Sequence, residues 1–185
     1  GNFVRALVVA SKGCPAMEFR EGVARAAQGL VVGPTLLGSE AAAVQLVDEL
    51  EIRFLANRDP AIRFALLTDF TDWREEKKPS DDRILETASA GISRLNALYA
   101  ADGADIFFLL RRPRRWSDSE QSWIGFERKR GKLGELNALL RNQGREHFSC
   151  IVGDIAHLYA TRYVITLDTD TLLPRNVARE LVAPM

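Results

Sequence analysis

Apolar positions along this chain follow two different spacings, and from residue 29 onward the two take turns. Leu30-Val31-Val32 is a short apolar run closed by Gly33-Pro34, which predicts a buried strand. Ser39 then stands where it can cap a helix whose apolar face is Ala43, Leu46, Val47, Leu50 and Phe54, three and four residues apart. Asn57 to Pro60 reads as a turn, and Phe64 to Thr68 as a second strand ending at Asp69. Ser80 and Asp81 open a second helix with Leu85, Ala88, Ile92, Leu95 and Tyr99 on one face, and Asp102-Gly103 ends it. Ile106 to Leu110 is a third strand, followed by a charged, tryptophan-containing stretch from Arg111 to Arg130. Gly131 and Lys132 lead into a helix that aligns Leu133, Leu136 and Leu140. Tyr163 to Leu167 is a further strand ending at Asp168. Pro174 suits the first position of a last helix, where its missing N–H would be unpaired anyway.

Strands that are apolar throughout, alternating with helices, imply a parallel sheet covered on both faces. The expected class is therefore α/β, an open and mostly parallel sheet with helices on both faces and nucleotide-binding topology. The first 28 residues are the least regular. Phe3 to Ala10 reads as a strand, Lys12-Gly13-Cys14-Pro15 breaks it, and Phe19 to Gln28 reads as a short helix. We expect residues 1–28 to be a linker or extra element, with 29–185 forming one unit.

Composition narrows the function classes. The 185 residues, 46% of them hydrophobic, suffice for one domain with a substantial core. Twenty-five basic residues balance 25 acidic ones, so the basic excess of a dedicated nucleic-acid binder is missing. The apolar run Ile106 to Leu110 is far short of the ~20 residues that span a bilayer, so the expectation is of a chain that neither crosses a membrane nor begins with a secretory signal. Cys14 and Cys150 form no disulfide framework, and with His147 and His157 they show no zinc-ligand spacing. The chemistry must then rest on carboxylates and arginines.

In an open α/β sheet, ligands bind beyond the carboxyl ends of the strands. Here those ends carry Pro34-Thr35, Asp69, Arg111-Arg112 and Asp168-Thr169-Asp170, which parallel strands would bring to one rim. A single Asp after a strand is ordinarily a turn or cap residue. Asp168 and Asp170, one residue apart, repel unless a cation relieves them, and hard Mg²⁺ or Mn²⁺ ions take such oxygen ligands together with substrate phosphates. The pair therefore reads as a metal-bound diphosphate site, against two solvated turn aspartates. A haloacid-dehalogenase-type phosphatase would need Thr or Val where Leu172 stands, and a nucleotidyltransferase would need a third acid, for which Asp154 has no commending spacing. The second signal is Arg128-Lys129-Arg130-Gly131-Lys132 at the start of a helix, where glycine permits close approach and the helix terminus favours an anion. A solvated loop with Glu127 pairing locally is the plain alternative. Arginines 111, 112, 114 and 115 with Trp116 and Trp123 would suit a nucleic acid, but the rim aspartates would repel a polyanion. Trp73, His147, His157 and Tyr99 read as packing or surface residues.

Taken together, Leu30-Val-Val-Gly-Pro-Thr-Leu-Leu37, Phe54 to Asp59, Phe64-Ala-Leu-Leu-Thr-Asp-Phe70, Trp123 to Asn137 with its Lys132-Leu-Gly-Glu-Leu-Asn137, and Tyr163 to Arg175 resemble one family. It is the glycosyltransferase domain of bacterial cyclic β-1,2-glucan synthases, within the cellulose-synthase-like transferases of GT-A fold. The resemblance implies an inverting, UDP-glucose-dependent transferase that extends a β-glucan acceptor. It implies residues 29–185 as the donor-binding part of a C-terminally truncated GT-A domain, from a larger synthase anchored at the cytoplasmic face of the inner membrane. Thr35 and Asp69 would meet the uridine, with Pro34 in the same nucleotide-sugar site, Lys132 with Arg130 would face the diphosphate, and Asp168 the nucleotide. Asp170, with Asp168, would hold Mg²⁺ or Mn²⁺. The family's catalytic base would fall beyond Met185, and its Gln-x-x-Arg-Trp acceptor motif has no counterpart at Arg115-Trp116. The expectation is thus a segment that binds donor without transferring glucose. A non-catalytic nucleotide- or phosphate-binding module using the same rim is the alternative, and no nucleic-acid partner is expected.

Overall fold

The computed structural model describes residues 8–10, 28–100, 103–168 and the single positions 173, 175 and 178. Its strands are β1 (Val8–Ala10), β2 (Gln28–Leu37), β3 (Ile62–Phe70), β4 (Phe107–Arg111), β5 (Arg115–Ser117), β6 (Ser122–Ile124), β7 (Cys150–Val152) and β8 (Thr161–Thr166). Its helices are α1 (Glu40–Ala56), α2 (Asp81–Tyr99) and α3 (Arg128–Leu140). Six strands form one mixed sheet in the order β1-β8-β2-β3-β4-β7. The inner four are parallel, while β1 and β7 run antiparallel along the two edges. The expected mostly parallel α/β sheet is therefore present; the two antiparallel edges were not foreseen.

Side-chain alternation along the strands sorts the core into two layers. Val31, Phe64, Leu66, Phe107, Leu109 and Ile165 face α1 and α2. Leu30, Val32, Ala65, Leu67, Phe108 and Leu110 face the opposite way, against Leu136 and Leu139 of α3. Helices thus cover both faces. Helix α1 buries the expected Ala43, Leu46, Val47, Leu50 and Phe54, and Ser39 Oγ accepts the Ala42 N–H at 3.0 Å as its cap. Helix α2 buries the expected Ala88, Ile92 and Leu95 and also Ile84, with Leu85 and Tyr99 half-buried against the same core, and the Ser80 side chain does not cap it. Asp81 fixes the turn that precedes the helix: its carboxylate accepts the Lys78 N–H at 2.8 Å and takes the Arg114 guanidinium through both oxygens.

Two strands are longer than their apolar runs. β3 continues through Asp69 to Phe70, so Asp69 lies inside the strand, buried, and not in a turn after it. β2 continues through Gly33-Pro34 to Leu37, still paired with β3. Proline is tolerated there for a geometric reason. The Val32 carbonyl points toward β8, accepting the Leu167 N–H at 2.9 Å, and Pro34 shares that edge two residues on, past the last β8 pairing at Val32. The β2–β8 ladder therefore stops where the chain has no donor to offer.

The Arg111–Arg130 stretch is not a loop: β5 and β6 make a small hairpin, and Trp73 pairs onto β6. Helix α3 starts at Arg128, earlier than Gly131, and its entry is left-handed, with positive φ at Glu127 just before it (49°) and at Arg128 itself (44°). The expected strand at Phe3 to Ala10 is described only as β1. The proposed helix at Phe19 to Gln28 lies outside the described residues except for Gln28, which begins β2. Pro174 and Asp170 also lie outside them.

Candidate functional site

Successive strands β2, β3 and β4 are laid down in one direction, and β8 then pairs on the other side of β2. The order reverses between β2 and β8, and the crevice beyond the carboxyl ends of strands at such a reversal is where open α/β sheets bind ligands. A cavity of about 350 Å³ opens next to this crevice, beyond the carboxyl ends of β2 and β3, lined by Pro34, Thr35 and Leu36 of β2, Asp69 of β3, Asp72, Gly125, and Arg128, Lys129 and Lys132 of α3.

Its floor is a buried charge cluster. Asp69 follows Leu67 on the α3 face of β3, and Arg112, just past β4, follows Leu110 on the same face. Arg112 Nε and Nη2 donate to the two Asp69 oxygens at 2.8 and 2.9 Å, a bidentate pair with both side chains 2% exposed. Arg112 also donates to Glu135 Oε2 at 3.1 Å and to the carbonyls of Phe126 and Arg128. Burial works against its charge, but the hydrogen bonds and charges of Asp69 and Glu135 outweigh that and raise its pKa above the ordinary arginine range. Lys132 Nζ donates to the Thr35 carbonyl at 2.6 Å and lies 3.3 Å from Asp69 Oδ2. Burial pushes the Lys132 ammonium below the usual lysine range, with Asp69 offsetting part of the shift. One lysine thus ties β2, β3 and α3 together beneath the cavity.

Glycines shape this floor. A Cβ on Gly125 would sit 2.3 Å from Asp69 Oδ2, and one on Gly131 would sit 2.3 Å from the Phe126 carbonyl and 3.1 Å from Arg112 Nη1. The close approach expected of glycine toward a phosphate is here an approach to the Asp69–Arg112 pair. At the mouth, Lys129 is ion-paired with Asp168, both about half exposed, and Arg128 bridges Asp72 and Glu120 at 3.2 and 2.9 Å.

Of the residues singled out from sequence, Pro34, Thr35, Asp69 and Lys132 line one cavity; Asp168 stands at its edge, held by Lys129. Arg130 is exposed and does not line it. Among the described residues no group of three or more His, Cys, Asp or Glu side chains could hold a metal ion. Asp154 caps a short 3₁₀ turn, accepting the Ala156 N–H at 3.0 Å. The arginine-rich stretch is largely consumed internally, Arg112 by Asp69 and Glu135, Arg114 by Asp81, and Arg115 by Glu135. Sequence reading missed Arg112 as the hub. Strand parity was the available signal, because Arg112 shares the face of Leu110 and Asp69 that of Leu67. A second cavity, of about 250 Å³ between α3 and β8, has walls of Leu133, Leu136, Leu140 and Val164 and lacks a comparable charge cluster.

No family model matches the chain. Over 168 residues, 91% of its length, it is 43% identical to the cyclic β-(1,2)-glucan synthase NdvB of Rhizobium meliloti (strain 1021). The matched stretch is 6% of that much longer protein. The chain is therefore related in sequence to one short segment of a glucan synthase.

Proposed function

We propose that this chain provides the nucleotide-sugar site of an inverting GT-A-type glycosyltransferase, with UDP-glucose as donor and a growing β-1,2-glucan as acceptor. It would act as part of a larger synthase held at the cytoplasmic face of the membrane. The observation that carries the reading is the cavity beyond the carboxyl ends of β2 and β3, where Pro34, Thr35, Asp69 and Lys132 converge from three elements. The relation to a glucan synthase segment supports the reaction class.

In this reading the uridine lies against Pro34, Thr35 and the Asp69 edge. The carboxylate is held in place by Arg112 before any ligand arrives, so orienting the base requires no rearrangement of the floor. Lys132 and Lys129 present positive charge where negative charge grows on the departing diphosphate. Asp168 is a hard oxygen donor, half exposed and held among the described residues by a half-exposed lysine, a partner of the weakly bound kind. With Asp170 it is the residue that would take Mg²⁺ or Mn²⁺, which when bound supplies further charge neutralisation to the leaving group. Arg130 would approach the diphosphate only from the solvent side.

Calorimetric titration of UDP into the chain, with and without Mn²⁺, tests the proposal alongside Asp170→Ala. Metal-strengthened binding that is lost in the variant is the expected result. Equal binding with and without metal, unaffected by Asp170→Ala, would favour the phosphate-binding module. Failure of the folded chain to bind UDP under any condition would refute the donor site.

A further inference from the structure

All three tryptophans of the chain stand in one row. Trp73 and Trp123 exchange both backbone hydrogen bonds, at 3.0 and 2.9 Å, and Trp116 lies opposite Trp123 on the next strand. Directly opposed residues in antiparallel strands project from the same face, so the three indoles line one side of a three-stranded patch. Ile124, on the other side, is the buried one. The tryptophan side faces outward: Trp116 is 45% exposed, and Trp73 and Trp123 are half-buried. Trp116 Nε1 donates to Asp118 Oδ1 at 2.8 Å, which fixes the plane of its ring. Lys78 and Arg74 lie over the Trp73 ring, closing that end of the row and leaving the Trp116 end open.

From these observations we infer that the Trp73–Trp123–Trp116 row is a saccharide-binding platform on which a neutral gluco-oligosaccharide lies beside the cavity. A sugar ring offers a C–H face and a rim of hydroxyls. A fixed indole takes the face through dispersion and weak C–H contacts. The hairpin residues between Ser117 and Ser122, which are Ser, Asp, Glu and Gln, are suited to the hydroxyls. Asp118, at the open Trp116 end, disfavours a nucleic-acid strand there, and the shortage of aliphatic side chains among the hairpin residues distinguishes the patch from a protein-docking face. The row also leads to the cavity: β6 passes from Trp123 through Ile124 to Gly125, which lines it, a step of about 7 Å. The choice of a glucan rests on the glucan-synthase reading; the platform itself does not.

The test uses tryptophan emission excited selectively over tyrosine, which in this chain reports the row alone. Short linear β-1,2-linked gluco-oligosaccharides should produce a saturable change in emission, with affinity reduced about tenfold in Trp116→Ala, a ring-stacking loss of ordinary size. UDP binding should be unchanged in that variant. No saturable response from folded protein, a response indifferent to Trp116→Ala, or preferential binding of a β-1,4-linked chain or an oligodeoxythymidylate would overturn the assignment. Oligosaccharide binding without UDP binding would sink the donor reading and leave the platform standing; UDP binding without oligosaccharide binding would do the reverse.

Discussion

Arg112 holds both sides of the cavity floor, because it clamps Asp69 on β3 and the Phe126 and Arg128 carbonyls at the start of α3. Replacing it with Gln leaves Asp69 with only the Lys132 ammonium and Glu135 without its buried partner. Breaking one side of a buried pair typically costs about 3–5 kcal/mol. Arg112→Gln should therefore lower the urea midpoint by that equivalent and abolish UDP binding. Arg112→Lys should rescue little, since a single ammonium cannot span both Asp69 oxygens. Gly125→Ala tests the other side of the clamp. Its Cβ would meet Asp69 Oδ2, and overpacking of this kind costs about 1–3 kcal/mol. UDP affinity should fall in step with stability, as read by calorimetry and urea denaturation on the same preparation. At this scale Asp69 and Lys132 were legible from their places beside apolar runs. Arg112 was not, because in Arg111-Arg112 two identical residues differ only in which face of β4 they continue.

Among the elements, helices were the most readable, since a three-four spacing depends only on the helix itself. The Ser39 cap and the five apolar residues of α1 came directly from it. Strand ends were less readable: β3 stays in the sheet through Asp69 because Arg112 and Lys132 make its burial tolerable, and those partners are distant in sequence. The β5–β6 hairpin was invisible for another reason, as Trp-Ser-Asp-Ser-Glu-Gln-Ser-Trp carries no apolar alternation. At the start of α2 the Asp81 carboxylate ties the preceding turn to Arg114, which has a consequence for acid stability. Burial alone would raise the Asp81 pKa, but hydrogen bonds from Arg114 and Lys78 and nearby arginine charge outweigh it and lower the pKa. A carboxylate depressed in the folded state contributes stability that is complete above its unfolded pKa and lost as pH falls through the folded one. Urea midpoints measured from neutrality into the acid range should show this loss below the ordinary aspartate pKa. Asp81→Asn should be less stable at neutrality and lose part of that acid dependence.

For the whole molecule, alternating buried runs and helices were enough to give the α/β class and a common rim of strand ends. They could not give strand order, which depends on which edge of β2 receives β8. That choice creates the reversal and brings Asp168 to Lys129 at the edge of the cavity. Among the described residues no helix is long and apolar enough to cross a membrane.

The pairing of Val31 with Ile165 also has a consequence in time. β2, α1, β3, α2 and β4 follow one another in sequence and meet as neighbours, whereas β8 must close a loop over nearly the whole described chain before it gains its contacts. The expected order of assembly is β2 to β4 first and β8 last. Ile165→Val, at a cost of about 1 kcal/mol, should then leave the refolding rate unchanged and speed unfolding about fivefold in stopped-flow chevrons. Leu66→Ala, in the early part, should slow refolding. A refolding rate reduced by Ile165→Val as strongly as by Leu66→Ala would refute that order. If it holds, the wall that carries Asp168 is the last part of the rim to form. A newly synthesised chain would then gain a competent donor site only when its final described strand has docked.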